Sequence, residues 1–441
     1  MFINRTKELE TLNREYDKKD ATFSVIYGRR RVGKTALISE FIKDKPSIYL
    51  YATQDSLTIQ LGMLTQQIKE FANPQIRDYL NFKTFEEAFE FISKLELDSK
   101  LVIVIDEYQN LVYKDKVFSS KLQRVWDMYL QHSQIFLILC GSTLSMIQSE
   151  VLNYSAPLYG RRTSNIHLKE LNFCYIKDFI PHTDRLTQMQ IYSSFGTIPK
   201  YLIEYDSELN FIENVKQNIL DKNSYLYSEG NFLLKDEISD STTYFSILLS
   251  ISNGNRKIGA IASSLGVNSS YLSKYMLKLI ELGFVEKEIP ITEKNPSKSK
   301  MGLYKIKDKF LNFWFFYVYK NYNYLEIGLV EYVIKEIETN FNDRFVSFAF
   351  EEYIKEQILL NPTKYLSFVP LKVGRWWNHK EEIDLVAYDD EHIAFIECKW
   401  QNKVNKDTIK EQLIAKSRDL IKDKKAFYIV LSKEEYLKGD V

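Results

Sequence analysis

Tyr27-Gly-Arg-Arg-Arg-Val-Gly-Lys-Thr-Ala36 fits the pattern G-x-x-x-x-G-K-[ST], with Gly28, Gly33, Lys34 and Thr35 in the fixed places. The apolar run from Ala21 to Tyr27 predicts a buried strand before it, and Ala36 to Ile42 predicts a helix after it. In that context the N–H groups of the loop, Gly28 through Ala36 with Arg29, Arg30, Arg31 and Val32 between, turn inward around a phosphate. Lys34 supplies a point charge toward the β- and γ-phosphates, and the Thr35 hydroxyl suits a Mg²⁺ ion. The chemistry implied is binding of ATP with Mg²⁺.

A second stretch, Leu101-VIVIDEYQNL, is a continuous apolar run ending in Asp106 and Glu107, as expected of a central parallel strand covered on both faces. At the C-terminal end of such a strand Asp106 would hold the hydrated metal, and Glu107 would polarise a water for attack on the γ-phosphate. Binding needs only the first of these; hydrolysis needs both. A further apolar strand, Ile135 to Cys140, ends in Gly141-Ser142-Thr143. There Ser142 either senses the γ-phosphate or belongs to a plain turn.

Length and charge bound the remainder. A chain of 441 residues exceeds one ordinary core and predicts two or three domains. Its 59 basic and 59 acidic residues give a formal net charge of zero, so a nucleic-acid contact must come from a local patch. Cys140, Cys174 and Cys398 are far apart, which argues against a disulfide scaffold or zinc site and for a reducing, cytoplasmic setting. The opening Met1-FINRTKELETL lacks a signal-peptide core, and no run approaches a membrane span. The aromatic run Phe310 to Tyr319 is flanked by Lys307, Lys309 and Lys320 and predicts a buried helix.

Strands at Phe23 to Tyr27, Ser47 to Tyr51, Val102 to Ile105 and Ile135 to Cys140 alternate with helices near Leu57 to Phe71, Phe85 to Leu95 and Lys121 to Gln131. That alternation predicts an α/β domain with a parallel sheet over residues 1–180, followed by a polar helical segment over 181–238.

This half resembles the archaeal-type ATPases, relatives of the AAA+ and STAND ATPases. The resemblance rests on Phe2-Ile3-Asn4-Arg5 with Glu8-Leu9, the GRRRVGKT loop, the VIVIDEYQ strand, and Leu158-YGRRT followed by Gly196-TIPKYL. It implies that the opening box, Arg5 included, packs near the adenine, and that Arg161 and Arg162 act as arginine fingers or sensors. Asn4 and Thr6 stand where Gly and Glu are usual in that family. Arg161 and Arg162 are equally explained as solvated or ion-paired surface groups.

Over residues 239–325 the pattern changes. Ile258-GAIASSLGV-Asn268 and Ser270-YLSKYMLKLIELGF-Val285 predict two helices and a turn; Leu272, Met276, Leu279 and Leu282 face the core, and Ser269, Ser270, Ser273, Lys274 and Lys278 face outward. A hairpin of Glu286 to Ile291 and Leu303 to Ile306 carries the basic tip Lys294, Lys298 and Lys300. Together these look like a winged helix-turn-helix, suited to double-stranded DNA. The same fold also serves as a protein-interaction module.

Residues 326–441 carry another constellation. Lys380-EEIDLVAYDD-Glu391 and His392-IAFIECKW read as two strands, with Glu397 and Lys399 on one face of the second and Asp384 on its partner. An acid beside E-x-K can hold Mg²⁺ between Asp384 and Glu397 while Lys399 orients or deprotonates a water. This resembles the PD-(D/E)xK nuclease core, an α/β restriction-endonuclease-like fold. The resemblance implies a further acid from a preceding helix, Glu351 or Glu352, and a Gln or Lys from a later one, for which Gln412 stands ready. A decayed version that binds without cutting has the same residues.

Two functions fit the whole. In one, ATP controls a DNA-binding winged helix and a nuclease-like tail; in the other, the chain is a STAND-like switch that governs assembly with a protein partner or further copies of itself.

Overall fold

The computed structural model describes residues 2–238 and 241–441, which form two compact units, Met1–Leu171 and Asn172–Val441. The sequence-based boundary between 238 and 239 touches a position outside the described residues.

The first unit is built on a five-stranded sheet of β1 (Thr22–Tyr27), β2 (Ser47–Tyr51), β3 (Leu101–Asp106), β4 (Ile135–Gly141) and β5 (Ser164–His167), in the order β2-β3-β4-β1-β5. All pairings are parallel. The central strands are apolar on both faces because helices cover both. Ile103, Ile105, Leu137 and Leu139 pack toward the helices Leu57–Phe71, Phe85–Ser93 and Phe118–Met128. Val102, Val104, Phe136 and Ile138 pack toward Leu12 of the helix Thr6–Tyr16 and toward Leu37, Ile38 and Phe41 of the helix Lys34–Ile42. The α/β parallel-sheet expectation therefore holds for this unit. β5 is absent from the sequence reading for a physical reason: Ser-Asn-Ile-His has one buried residue, Ile166, and lies at an edge.

The second unit begins with helices at Ile176–Phe179, Arg185–Ser194, Pro199–Ile203, Phe211–Asn214 and Tyr225–Glu237. Helices Thr242–Ser252, Ile258–Ser264 and Ser269–Glu281 follow, then an antiparallel pair of β6 (Val285–Glu288) and β7 (Leu303–Ile306). Leu272, Met276, Leu279 and Leu282 are buried, as their spacing predicts. The aromatic run is helical from Lys309 through Val318, in a wider turn over its second half, and Phe310 to Val318 without Asn312 are buried.

The same unit ends in a four-stranded sheet of β8 (Lys372–Trp377), β9 (Glu382–Tyr388), β10 (His392–Lys399) and β11 (Lys425–Ser432), ordered β11-β10-β9-β8. β8, β9 and β10 are antiparallel, and β10 and β11 are parallel across the helix Lys406–Ile421. Among the described residues no helix is long and apolar enough to cross a membrane.

Candidate functional site

The phosphate loop leaves β1 at Tyr27 and enters the helix at Lys34. A Cβ on Gly28 would lie 2.2 Å from the Leu168 carbonyl oxygen, so only glycine lets β1 leave beside the chain that follows β5. Gly33 has φ +95°, a left-handed turn that frees the helix N-terminus to point into the loop. Lys34 is buried, and its ammonium donates to the carbonyls of Gly28 (2.9 Å) and Arg29 (3.1 Å). Burial pulls its pKa below the usual lysine value against the fields of Cys140, Glu107 and Asp106, so a phosphate in the loop would be a favourable partner. Arg29, Arg30 and Arg31 are half-buried, Val32 is buried, and Thr35 and Ala36 are exposed on the first helical turn.

Parallel pairing brings the ends of β1, β3 and β4 together. The Thr35 hydroxyl donates to Asp106 Oδ2 at 2.9 Å, 71 residues away in sequence. Tyr49 of β2 donates its hydroxyl to the same oxygen at 2.6 Å, and the N–H of Glu107 donates to Oδ1 at 2.9 Å. Glu107 has φ +52°, an uncommon backbone for glutamate. The Ser142 hydroxyl donates to Glu107 Oε2 at 2.9 Å, and the Gln109 amide donates to Ser142 at 3.1 Å and to Glu107 Oε2. Thr35, Asp106, Glu107 and Ser142 thus meet at one end of the sheet beside Lys34. Tyr49 and Gln109 complete this group and are missing from the sequence reading. Gln109 follows Glu107 by two positions in Asp106-Glu-Tyr-Gln, which was available as a signal; Tyr49 had none, because only the β2–β3 pairing carries it there.

The other candidates fall elsewhere. Arg5 is buried and donates to the carbonyls of Val32 (2.9 Å) and Lys169 (2.8 Å), bracing the loop from behind. Arg161 and Arg162 are not brought to the loop. They precede β5, where Thr163 donates its N–H to the Phe23 carbonyl, about 15 Å of strand from the loop at the rise of β-structure. Arg161 forks onto Asp127 (3.1 and 2.9 Å), and Arg162 donates to the Val151 carbonyl at 2.6 Å.

In the second unit β9 and β10 pair so that Leu385 faces Ile396, which sets Asp384 beside Glu397. Both are buried. Lys399 Nζ lies 2.7 Å from Glu397 Oε2 and 3.5 Å from Asp384 Oδ2, and the Cys398 N–H donates to Asp384 at 2.8 Å. Burial and the neighbouring Glu397 push the Asp384 carboxyl up to about 6, while hydrogen bonds from Asp384 and Lys399 hold Glu397 below the ordinary carboxylate value despite its burial. Burial alone would lower Lys399, but Asp384 and Glu397 hold it above the usual lysine value.

Of the two helix acids, Glu351 is the one near this cluster: burial and the charge of Asp384 push it up to about 8. Glu352 instead pairs with Lys305 (2.7 Å) and Lys309 (2.6 Å). Gln412 is exposed, and Lys416, one turn further along the same helix, reaches Glu397 at 3.2 Å. Among the described residues no group of three or more His, Cys, Asp or Glu is close enough to hold a metal ion.

Residues 2–205 match a family described as an ATPase domain predominantly from Archaea. Residues 314–411 match a family described as archaeal and bacterial proteins of unknown function. Loop, parallel sheet and family match together define a protein with a P-loop ATPase domain. The chain belongs to the same family as the uncharacterized protein MJECL04 of Methanocaldococcus jannaschii, with 35% identity over 443 residues, 98% of this chain and 96% of that protein. The uncharacterized ATP-binding protein MJ0423 of the same organism is 51% identical over 45 residues, 10% of this chain and 76% of its own length. In fold, the chain is similar to the Walker-type ATPase PABY2304 of Pyrococcus abyssi, with TM-score 0.53 and 19% identity over 70% of this chain and 95% of that one.

Proposed function

We propose that the protein is a Mg²⁺-dependent ATPase whose nucleotide state controls a DNA-binding winged helix and a nuclease-like carboxy-terminal domain. The observation that carries this reading is the Thr35–Asp106 contact of 2.9 Å beside Lys34 and Glu107. A hydroxyl and a carboxylate so placed are the donor set a Mg²⁺ ion takes between protein and phosphates. The ion, held by Thr35 and Asp106, would neutralise charge on the β- and γ-phosphates. Lys34 and the loop N–H groups bind those phosphates. Glu107 orients the attacking water and takes its proton; Ser142 and Gln109 hold the Glu107 carboxylate in position.

Downstream, we divide the second unit into a helical lid to residue 238, a winged helix-turn-helix over 239–325 and a PD-(D/E)xK-like domain over 326–441. The helix Ser269–Glu281 would read the duplex, since Ser269, Ser270, Ser273 and Lys274 are exposed on it. Asp384 and Glu397 offer Mg²⁺ an anionic pair of carboxylates. Lys399, within reach of both carboxylates, would orient or deprotonate the attacking water.

The test of the ATP site is Lys34→Ala, which removes the ammonium that donates to the Gly28 and Arg29 carbonyls. ATP binding by calorimetry should be lost; affinity equal to the parent protein would remove the reading. Incubation with duplex DNA, Mg²⁺ and ATP tests the second half. A protein that binds no duplex at low salt would favour the regulatory switch.

A further inference from the structure

The hairpin that carries the basic tip is tied at several points to the sheet that carries Asp384. At its base, Glu288 of β6 lies 2.5 Å from Arg256 and 3.5 Å from Arg375 of β8, and Lys305 of β7 lies 2.7 Å from Glu352. Arg375 falls at the irregularity of β8 between Gly374 and Trp376, and its guanidinium also lies 3.5 Å from Glu351. Such a bulge re-aims a side chain.

Nearer the tip, the Ile291 N–H donates to the Arg375 carbonyl at 2.9 Å, so the chain continues as a partner on the edge of β8. On the return path the Trp377 indole donates to the Met301 carbonyl at 3.0 Å. Ile291 packs among Trp376, Ile383 and Phe395. Between these two anchors the tip closes on itself: Ser299 donates to Glu293 at 3.0 Å, and Lys287 to the Ser299 carbonyl at 3.3 Å. Lys294, Lys298 and Lys300 remain exposed.

We propose that the tip and the Asp384–Glu397–Lys399 cluster form one duplex-binding surface, with the tip a fixed part of the site. The inference rests on the DNA reading above and adds to it the geometry of engagement. Ile291 is two strand spacings from β9, about 10 Å. Lys294 is three residues further, at most about another 10 Å. One turn of B-DNA spans roughly 34 Å, so a single turn touched by the tip is long enough to reach the acid cluster without any movement of the hairpin. Lys399 and Lys416 continue the positive charge to the two acids. A hairpin held at Glu288, Ile291, Met301 and Lys305 has no hinge left with which to swing as a free wing.

The experiment uses the full chain with Cys174→Ser, since Cys140 and Cys398 are buried and stay unlabelled. Asn295→Cys at the tip and Glu381→Cys beside β9 are both exposed positions; the double variant carries a photocrosslinker at each. The probe is a duplex of about one helical turn. One duplex attached at both cysteines of the same protein molecule, read by intact mass and by the two cross-linked peptides, is the expected product. Attachment at only one of the two positions, with duplex binding intact, overturns the inference and leaves the DNA reading standing. Failure of the unlabelled protein to bind any duplex at low salt overturns both.

Discussion

Tyr49 and Asp106, on neighbouring strands, share a hydrogen bond of 2.6 Å that ends on the same carboxylate oxygen the Thr35 hydroxyl uses. Burial and this bond to Asp106 push the Tyr49 phenol above its ordinary value, in keeping with its hydroxyl donating to the carboxylate. Tyr49→Phe removes one of the three donors that fix the carboxylate. We expect Mg²⁺-dependent nucleotide affinity to fall several-fold, nucleotide affinity in EDTA to stay unchanged, and stability to drop by about 1 kcal/mol. Calorimetry with and without Mg²⁺ checks this; equal losses in both conditions would mean that Tyr49 acts on the fold and not on the metal.

Glu107→Gln separates binding from turnover. The amide keeps the strand end and leaves Asp106 untouched, but it cannot accept the proton of the attacking water. ATP should bind and hydrolysis should fall by orders of magnitude. Ser142→Ala, which removes the hydroxyl donating to Glu107, should cost about tenfold, because the Gln109 amide still holds the carboxylate. Turnover by Glu107→Gln at the parent rate would send the search to another acid.

The phosphate loop, Asp106 and Glu107 were legible in the sequence because each sits in a short contiguous motif whose strand context is also local. The pairing of Asp384 with Glu397 was legible for the same reason: two strands and one acidic turn separate them. What escaped depends on contacts between distant segments. Tyr49 reaches Asp106 through parallel pairing, and Lys416 replaces Gln412 through the register of a helix on a sheet. Arg161 and Arg162 lie away from the loop of their own chain, which their position in the sequence did not show: it says which strand they precede, not which end of the sheet that start occupies.

Arg161 gives a prediction from that geometry. Its ion pair with Asp127 is partly exposed, so Arg161→Ala should cost no more than about 1 kcal/mol of stability. ATP hydrolysis at high dilution should be unchanged, since the guanidinium stands at the far end of β1 from Lys34. A loss of activity that appears only as protein concentration rises would show that Arg161 completes the site of a neighbouring copy.

Glu352 gives the pH dependence. Burial would raise its pKa, but Lys309 and Lys305 overcome this and hold the carboxyl well below its ordinary value. A depressed carboxyl contributes stability above the unfolded value of 4.5, and that contribution is lost as pH falls below it. Glu352→Gln should therefore lower the melting temperature at pH 7 and narrow the gap to the parent protein below pH 4.5. A gap that is constant with pH would show that the loss comes from packing and not from charge.

Asp384 and Lys399 bear on the tail. If they form a metal-dependent cleavage site, Asp384→Ala and Lys399→Ala should each stop Mg²⁺-dependent cutting of duplex DNA, while ATP hydrolysis continues at near the parent rate, because Thr35, Asp106 and Glu107 lie in the other compact unit. Neither change should unfold the protein. Asp384→Ala removes a buried carboxyl whose charge is resisted by Glu397, and Lys399→Ala leaves Glu397 its second ammonium, Lys416. Duplex binding, followed by fluorescence anisotropy in the absence of Mg²⁺, should survive in Asp384→Ala and weaken without being lost in Lys399→Ala, since the exposed lysines of the hairpin tip remain in both. Cutting by Asp384→Ala at the parent rate, or no cutting by the parent protein under any nucleotide condition, would make the cluster a structural ion network that ties β9 to β10.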